Sequence, residues 1–443
     1  MLNTQNKNDE KSSVKVSGSK PLLGFFPLFD NLAETGRAVK VAKCYIGQGG
    51  EAVFFSHGGK YEYLARDIGC KVIQVYPTES KKFIEDVVKY AGLEKLRNPI
   101  TDEILEEYVK GEVKAFKENG IKLIVSTNNF WTIISARLAN IPLVNIAPKV
   151  KSRFIQYPDD VEFFFTKILP NSIKLKIINW YLPRTKWMAK PFNKAAKKHN
   201  IKISKNMSDY DLVKGDYTLY TDVKEFLSIE PQKILPNEYY IGPISLEGIF
   251  KDKVTKQNDI ESEKEIEEHL QKNSKNILIS LGSSGKKEIF LEILEALNNT
   301  NYKVIAIYTT ILDEKELPVV SDNIMLRKIV PSINKLHKMV DLSIIHGGQG
   351  TVYAAAYAGK PVIGIPMTLE QHLNLENLLR ENMAILLSKK YFKKRVLIDS
   401  INKIFNNYNY YLSNAEKFSK KLPYAEGEKN AVSKILTILK QEK

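Results

Sequence analysis

His346-Gly347-Gly348-Gln349-Gly350-Thr351 opens a stretch that continues through an alanine-rich run, Gly359-Lys360-Pro361 and Pro366, and ends at Glu370-Gln371-His372-Leu373-Asn374. Just before it, Leu342 to Ile345 is a short, mostly apolar run that reads as a buried strand. The glycines set a tight turn, and the alanines between Thr351 and Ala358 favour helix. Strand, glycine turn and helix together aim free N–H groups and the positive end of the helix dipole at an anion. Pro361 to Ile365 reads as a strand returning to the sheet, with Glu370 and Gln371 beyond its carboxyl end. Open α/β sheets bind ligands at that edge. One αβ unit therefore predicts a phosphate seat and, one element later, a pair of side chains able to hold hydroxyls.

Outward from this unit the chain alternates strands and helices. Ile277 to Leu281 opens the second half, followed by the turn Gly282-Ser283-Ser284-Gly285, a helix over Glu288 to Leu297 and a strand over Val304 to Tyr308. In the first half, strands are expected at Leu22–Phe26, Ala52–Phe55, Lys71–Tyr76, Leu123–Val125, Leu143–Ile146, Tyr217–Tyr220 and Tyr239–Ile241. Pro27 to Thr35 reads as a loop and Gly36 to Ile46 as a helix. Alternation of this kind predicts two mostly parallel, doubly wound α/β domains. The expected division is a polar, disordered tail over 1–20, a first domain over 21–243, a charged linker over 244–275, a second domain over 276–420 and a terminal amphipathic helix over 421–443.

The 443 residues suffice for two cores. No apolar run nears the roughly 18 residues needed to span a bilayer. The two cysteines, Cys44 and Cys70, make no disulfide framework, and the six histidines have no metal spacing. A cytoplasmic protein is the simplest expectation. The net charge of +15 favours anionic partners. Phe163 to Ser208 holds eleven Lys or Arg and no Asp or Glu, interleaved with Phe163, Phe164, Phe165, Trp180, Tyr181 and Trp187. That mixture suits an anionic membrane surface, or simply a helical pair with a solvated basic face. No nucleic-acid motif accompanies it.

The stretch from His346 to Asn374 resembles the donor-sugar signature of the UDP-glycosyltransferases, at His346, Gly347, Gly348, Thr351, Gly359, Pro361, Pro366, Glu370, Gln371 and Asn374. The resemblance implies the GT-B architecture: two Rossmann-like, doubly wound domains facing across a cleft, with the last helix crossing back to the first. It implies a nucleotide-sugar donor, an inverting transfer of a hexosyl unit to a hydroxyl acceptor, and neither metal nor cofactor. His346, Gly348, Gln349, Gly350 and Thr351 would hold the diphosphate, and Glu370 and Gln371 the sugar. Gly282, Ser283 and Ser284 would face it from the other wall, and Val330 would meet the base. The family's acidic, ribose-binding position is Ala354 here, and Ile329 stands where many members carry a stacking aromatic.

For the general base, the family's Gly-His after the first strand corresponds to Ala33-Glu34. Glu34 and its loop neighbour Asp30 are the candidates, against the plain reading that Glu34 caps a helix. Asn128 and Asn129, after a strand, are candidates for the acceptor side. Asp209-Tyr210-Asp211 is a metal-type triplet without the context for one. A catalytically silent binding partner and a sugar-nucleotide epimerase are the alternatives on the same fold.

Overall fold

The computed structural model describes residues 20–442, apart from 92–94, 96, 152–169, 202–205, 228–233, 250–255 and 271–273. The tail expected before Lys20, Phe163 to Phe165, and parts of the expected linker lie outside the described residues.

The first sheet contains β1 (Leu22–Pro27), β2 (Glu51–Ser56), β3 (Lys71–Gln74), β4 (Leu123–Thr127), β5 (Leu143–Ala147), β6 (Tyr217–Tyr220) and β7 (Glu238–Tyr240). Its spatial order is β3-β2-β1-β4-β5-β6-β7, and every pairing is parallel. The second sheet contains β8 (Lys275–Ser280), β9 (Tyr302–Ile307), β10 (Ile324–Arg327), β11 (Leu342–Ile345), β12 (Val362–Gly364) and β13 (Ala384–Leu386). Its order is β10-β9-β8-β11-β12-β13, again all parallel. Six strands of each sheet thus run 3-2-1-4-5-6, the Rossmann order. The order reverses between β1 and β4 in one domain and between β8 and β11 in the other. Ligands settle at that reversal, outside the strand carboxyl ends. The loops after these four strands carry Asp30, Asn128, Gly282 and His346.

Central strands are apolar on both faces because helices cover both. Leu123-Ile124-Val125 and Leu342 to Ile345 are fully buried runs. The last helix, Gly427–Gln441, follows the second domain in sequence but packs on the first. Its Ala431, Val432, Ile435 and Ile438 join Ala38, Val41, Ala42 and Tyr45 of the Leu32–Gly47 helix in one core. Each buried Ile or Val there contributes about 1.5–3 kcal/mol. The chain crosses between domains twice, and the crossings touch where both are glycine. A Cβ on Gly242 (φ 87°) would lie 2.3 Å from Ala425 Cβ. A Cβ on Gly427 would lie 2.5 Å from the Gly242 carbonyl oxygen.

One difference from the sequence expectation bears on the site. Leu32 to Thr35 is helix, not loop. Asn31 caps it, its side-chain oxygen accepting from the N–H groups of Ala33 (2.9 Å) and Glu34 (3.3 Å). Glu34 therefore sits in a first helical turn, where a carboxylate complements the dipole.

Two buried histidines give the fold an acid limit. Burial pushes His337 down to about 3 and His346 down to about 4. Below the ordinary histidine value of about 6.5, the unfolded chain takes up protons that these folded rings refuse. Stability is then full above pH 6.5 and lost as pH falls toward 4, by about 3 kcal/mol for His346 alone. Thermal unfolding should show Tm falling across that window, with a shallower slope in His337→Asn.

Candidate active site

The helix after β11 spans Gln349–Ala358. Its first backbone bond runs from the Val352 N–H to the Gly348 carbonyl (3.0 Å). The N–H groups of Gly350 and Thr351 lie before that bond, at the positive end of the dipole. Gly350 is exposed, and a Cβ placed on it would meet nothing within 4 Å. The helix end is thus open.

His346 forms the wall behind it. A Cβ on Gly282 would lie 2.7 Å from His346 Nε2, and one on Gly348 would lie 2.6 Å from it. Glycine at 282 and 348 is what gives the ring room, and Gly282 also takes φ 59°. Nδ1 lies 3.4 Å from the Ser280 carbonyl, a contact that favours the proton on that nitrogen. Burial keeps the ring neutral, so Nε2 is a bare acceptor. The donation to a diphosphate oxygen expected of His346 therefore needs the proton on Nε2, by a change of tautomer or by protonation.

Gln371 caps its own helix, Leu369–Arg380. Its side-chain oxygen accepts from the N–H groups of Met367 (2.8 Å) and Thr368 (3.2 Å), while its amide donates to Ser284 Oγ (2.8 Å). It thus ties the turn after β8 to the turn after β12. Its carbonyl oxygen is engaged, so a sugar hydroxyl would meet the amide end. Asn374 donates to the Gly347 carbonyl (3.0 Å) and holds the glycine turn from beneath. Glu370 is half-buried in the first turn of that same helix. Gly282 and Gly348 both close on His346, and Gln371 joins Ser284 of the same β8 turn. Ser283 lies in the turn between Gly282 and Ser284. Val330 follows β10 and is half-buried. Ile329 beside it is exposed, and Ala354 is buried and apolar.

Gln349 departs from its expected use. Its side chain turns into the first domain. The oxygen accepts from Arg37 Nη2 (3.1 Å) and Thr221 Oγ1 (2.9 Å). The amide donates to the Thr221 carbonyl (3.0 Å) and to Asp222 Oδ1 (3.0 Å). Asp222 also accepts from the Tyr353 hydroxyl (2.9 Å) and the Lys149 N–H (2.7 Å). Burial pushes the Asp222 carboxyl up, and these donors oppose the shift. Phe226 stacks on Tyr353 at 4.2 Å. Only the backbone of Gln349 is left for a ligand; its side chain is a bolt between domains.

The same bolt reaches the proposed bases. Glu34 is buried, and its carboxylate pairs with Arg37 Nη1 at 2.7 Å. Arg37 in turn donates to Gln349. Glu34 is thereby the counter-ion of an interdomain arginine. Asp30 is half-buried and makes no hydrogen bond or ion pair with any described residue. It follows Phe29, which lines a cavity of about 200 Å³ in the first domain.

This cavity is walled by Phe26, Phe29, Phe83, Phe130 and Trp131, with His57, Glu79, Asn128 and Asn129 as its polar members. Asn128 takes φ 60°, a conformation asparagine tolerates, where the chain turns out of β4. Asn129 accepts from the Trp131 N–H (3.1 Å). His57 faces acceptors on both nitrogens, the Pro77 carbonyl (2.8 Å) and Glu112 Oε1 (3.1 Å). Burial works against its charge, but the Glu112 hydrogen bond and charge outweigh it and raise the pKa. Sequence reasoning passed over His57, though His57-Gly58-Gly59 after β2 echoes His346-Gly347-Gly348 after β11. Asp209 and Asp211 are spent on capping. Asp209 accepts from the N–H groups of Met188 and Ala189 (both 2.8 Å), and Asp211 from that of Ser208 (2.8 Å).

Comparison with known proteins agrees with this architecture. Residues 276–432 match the glycosyltransferase family 28 C-terminal domain. A PGL/p-HBAD biosynthesis glycosyltransferase of Mycobacterium tuberculosis is 30% identical over 294 residues, covering 64% of this chain and 63% of that protein. A PGL/p-HBAD biosynthesis rhamnosyltransferase of Mycobacterium bovis is 26% identical over 315 residues, covering 69% and 65%. The matched stretch spans just under two thirds of these relatives. Among solved structures, the glycosyltransferase SnogD from Streptomyces nogalater superposes with a TM-score of 0.61 at 13% identity, over 95% of this chain and 100% of that one. The spinosyn rhamnosyltransferase SpnG complexed with thymidine diphosphate does so with 0.61 at 11%, over 94% and 100%. At that identity the likeness speaks for the fold. The chain thus has the GT-B fold, and residues 276–432 are similar to the glycosyltransferase family 28 C-terminal domain.

Proposed function

We propose that the protein is an inverting glycosyltransferase that moves a hexosyl unit from a nucleoside-diphosphate sugar, UDP-linked by preference, to a hydroxyl of an amphipathic acceptor. The observation that carries this reading is the open end of the Gln349–Ala358 helix at Gly350, after the central strand β11 of one sheet, while the half-buried Asp30, without a hydrogen bond or ion pair to any described residue, follows the central strand β1 of the other. The diphosphate would sit on the Gly350 and Thr351 N–H groups, so the reading calls for no metal and no cofactor. The acceptor oxygen attacks the anomeric carbon as the bond from that carbon to the diphosphate oxygen breaks. The diphosphate leaves with the electron pair, stabilised by the helix end, and Asp30 takes the acceptor proton. Inversion follows from a single displacement. Of the two candidate bases Asp30 is preferred, because Glu34 is held by Arg37. The apolar cavity beside Phe29 would hold the acceptor's body, with Asn128 and Asn129 at its rim.

The relatives' names speak of glycosyl and rhamnosyl transfer, and SpnG forms a complex with thymidine diphosphate. A calorimetric titration with UDP-, dTDP- and GDP-sugars tests the reading. Binding of one nucleotide class, followed by transfer to an amphipathic alcohol, supports it. No binding across the panel would end it. Binding with isomerisation and no transfer would favour the epimerase, and binding without turnover the silent partner.

An anionic membrane surface is the proposed source of the acceptor. In the Asn171–Tyr181 helix, Ile173, Ile177 and Trp180 recur at i, i+4 and i+7, and all three are exposed, Trp180 by 62%. Lys176, Arg184 and Lys186 are exposed around them. Among the described residues no helix is long and apolar enough to cross a membrane. Apolar row, tryptophan and basic flank suit binding in the lipid interface. In vesicle flotation at low salt the protein should float with vesicles containing phosphatidylglycerol and stay down with neutral ones. Trp180→Ser with Ile177→Ser should cut the bound fraction severalfold; equal flotation on neutral vesicles would remove the idea.

A further inference from the structure

The first-domain cavity has a charge that its proposed role as an acceptor pocket does not require. Glu79 lines it, between the turn after β3 and the helix carrying Phe83. One carboxylate oxygen, Oε1, accepts from the Trp131 indole (3.1 Å). The other, Oε2, has no hydrogen-bond partner among the described residues. The acids around it outnumber the one histidine that opposes its charge. His57 is the neighbour that draws the Glu79 carboxyl down most, but it is shared with Glu112, a fully buried carboxylate that also accepts from Ser135 and Asn129. Asp30 and Glu112 both add to the negative charge felt at Glu79. No lysine or arginine is among the described residues that line the cavity. The walls are the rings of Phe26, Phe29, Phe83 and Trp131. Aromatic faces around a carboxylate in surroundings of net negative charge make a cage for an organic cation. Burial pushes the Glu79 carboxyl up, more than its neighbours pull it down, as expected of an acid waiting for a counter-charge.

We propose that Glu79 is a specificity-determining residue that selects acceptors carrying a protonated amine, seated among the aromatic rings while the reacting hydroxyl lies at Asp30. This rests on the reading of the cavity as the acceptor pocket. A neutral acceptor would bury Glu79 with no partner for Oε2, and an anionic one would set two negative charges together.

The test is calorimetric binding of three matched probes, 4-phenylbutylamine, 4-phenylbutanol and 4-phenylbutyrate, to the full chain at pH 7. Wild type should bind the amine at least about tenfold tighter than the alcohol, and the acid weakest. Glu79→Gln should remove the order. Trp131→Phe, which frees Oε1, should keep it, and serves if Glu79→Gln fails to fold. Equal binding of all three, or an order that survives Glu79→Gln, overturns the role of Glu79 and leaves the acceptor pocket standing. No binding of any probe overturns both.

Discussion

Asp30→Asn should lower kcat by at least about a hundredfold while leaving the affinity for the nucleotide sugar nearly unchanged. A positioned general base contributes about 10²–10⁴ to such a step. Asn has the shape of Asp but cannot take the acceptor's proton. Asp30 has no described hydrogen bond or ion pair to lose, so the variant should unfold within about 0.5 kcal/mol of wild type. Glu34→Gln should behave in the opposite way. It leaves the buried Arg37 without its 2.7 Å carboxylate, and breaking such a pair costs about 3–5 kcal/mol. Its main effect should be a lower Tm, with activity lost in proportion to the folded fraction at the assay temperature. Steady-state kinetics and thermal unfolding on the two variants separate the roles. A Glu34→Gln protein that is stable and dead, beside an active Asp30→Asn protein, would exchange them.

Gly350→Glu should weaken donor binding by roughly a hundredfold without harming the fold. The Cβ enters open space, and a carboxylate in a first helical turn favours the dipole, so Tm should hold or rise slightly. The same carboxylate would occupy the seat of the diphosphate. Two like charges about 5 Å apart at an effective dielectric near 20 repel by about 3 kcal/mol. That is roughly a hundredfold in Kd. Gly350→Gln carries the bulk without the charge and should lose far less. Calorimetry with a nucleoside diphosphate measures both. Equal losses in the two variants would mean that shape, not charge, matters at this position.

How much of this was legible in the sequence depends on what each feature is made of. The αβ unit from Leu342 to Asn374 is local: a buried strand, a glycine turn and a helix announce themselves within a few residues. So do the alternating elements that built two Rossmann sheets. The start of the first helix was misread because Asn31, its cap, sits in a stretch without apolar periodicity. The use of Gln349 as a bolt was not readable at all. Its partners Arg37, Thr221 and Asp222 lie more than a hundred residues away, and nothing local marks them. Glu34 looked like a base for the same reason, since its tie to Arg37 matters only once Arg37 meets the other domain. Glu79 and His57 were passed over because a lone acid and a lone histidine carry no pattern until Phe26, Phe83 and Trp131 surround them.

The placement of the diphosphate is most directly tested by a crystal structure of the protein with a bound nucleoside diphosphate. Phosphate oxygens within about 3 Å of the Gly350 and Thr351 nitrogens, facing Asp30 across the cleft, are the expected result. A diphosphate ordered anywhere else on the protein, with those two N–H groups left to solvent, would contradict the account.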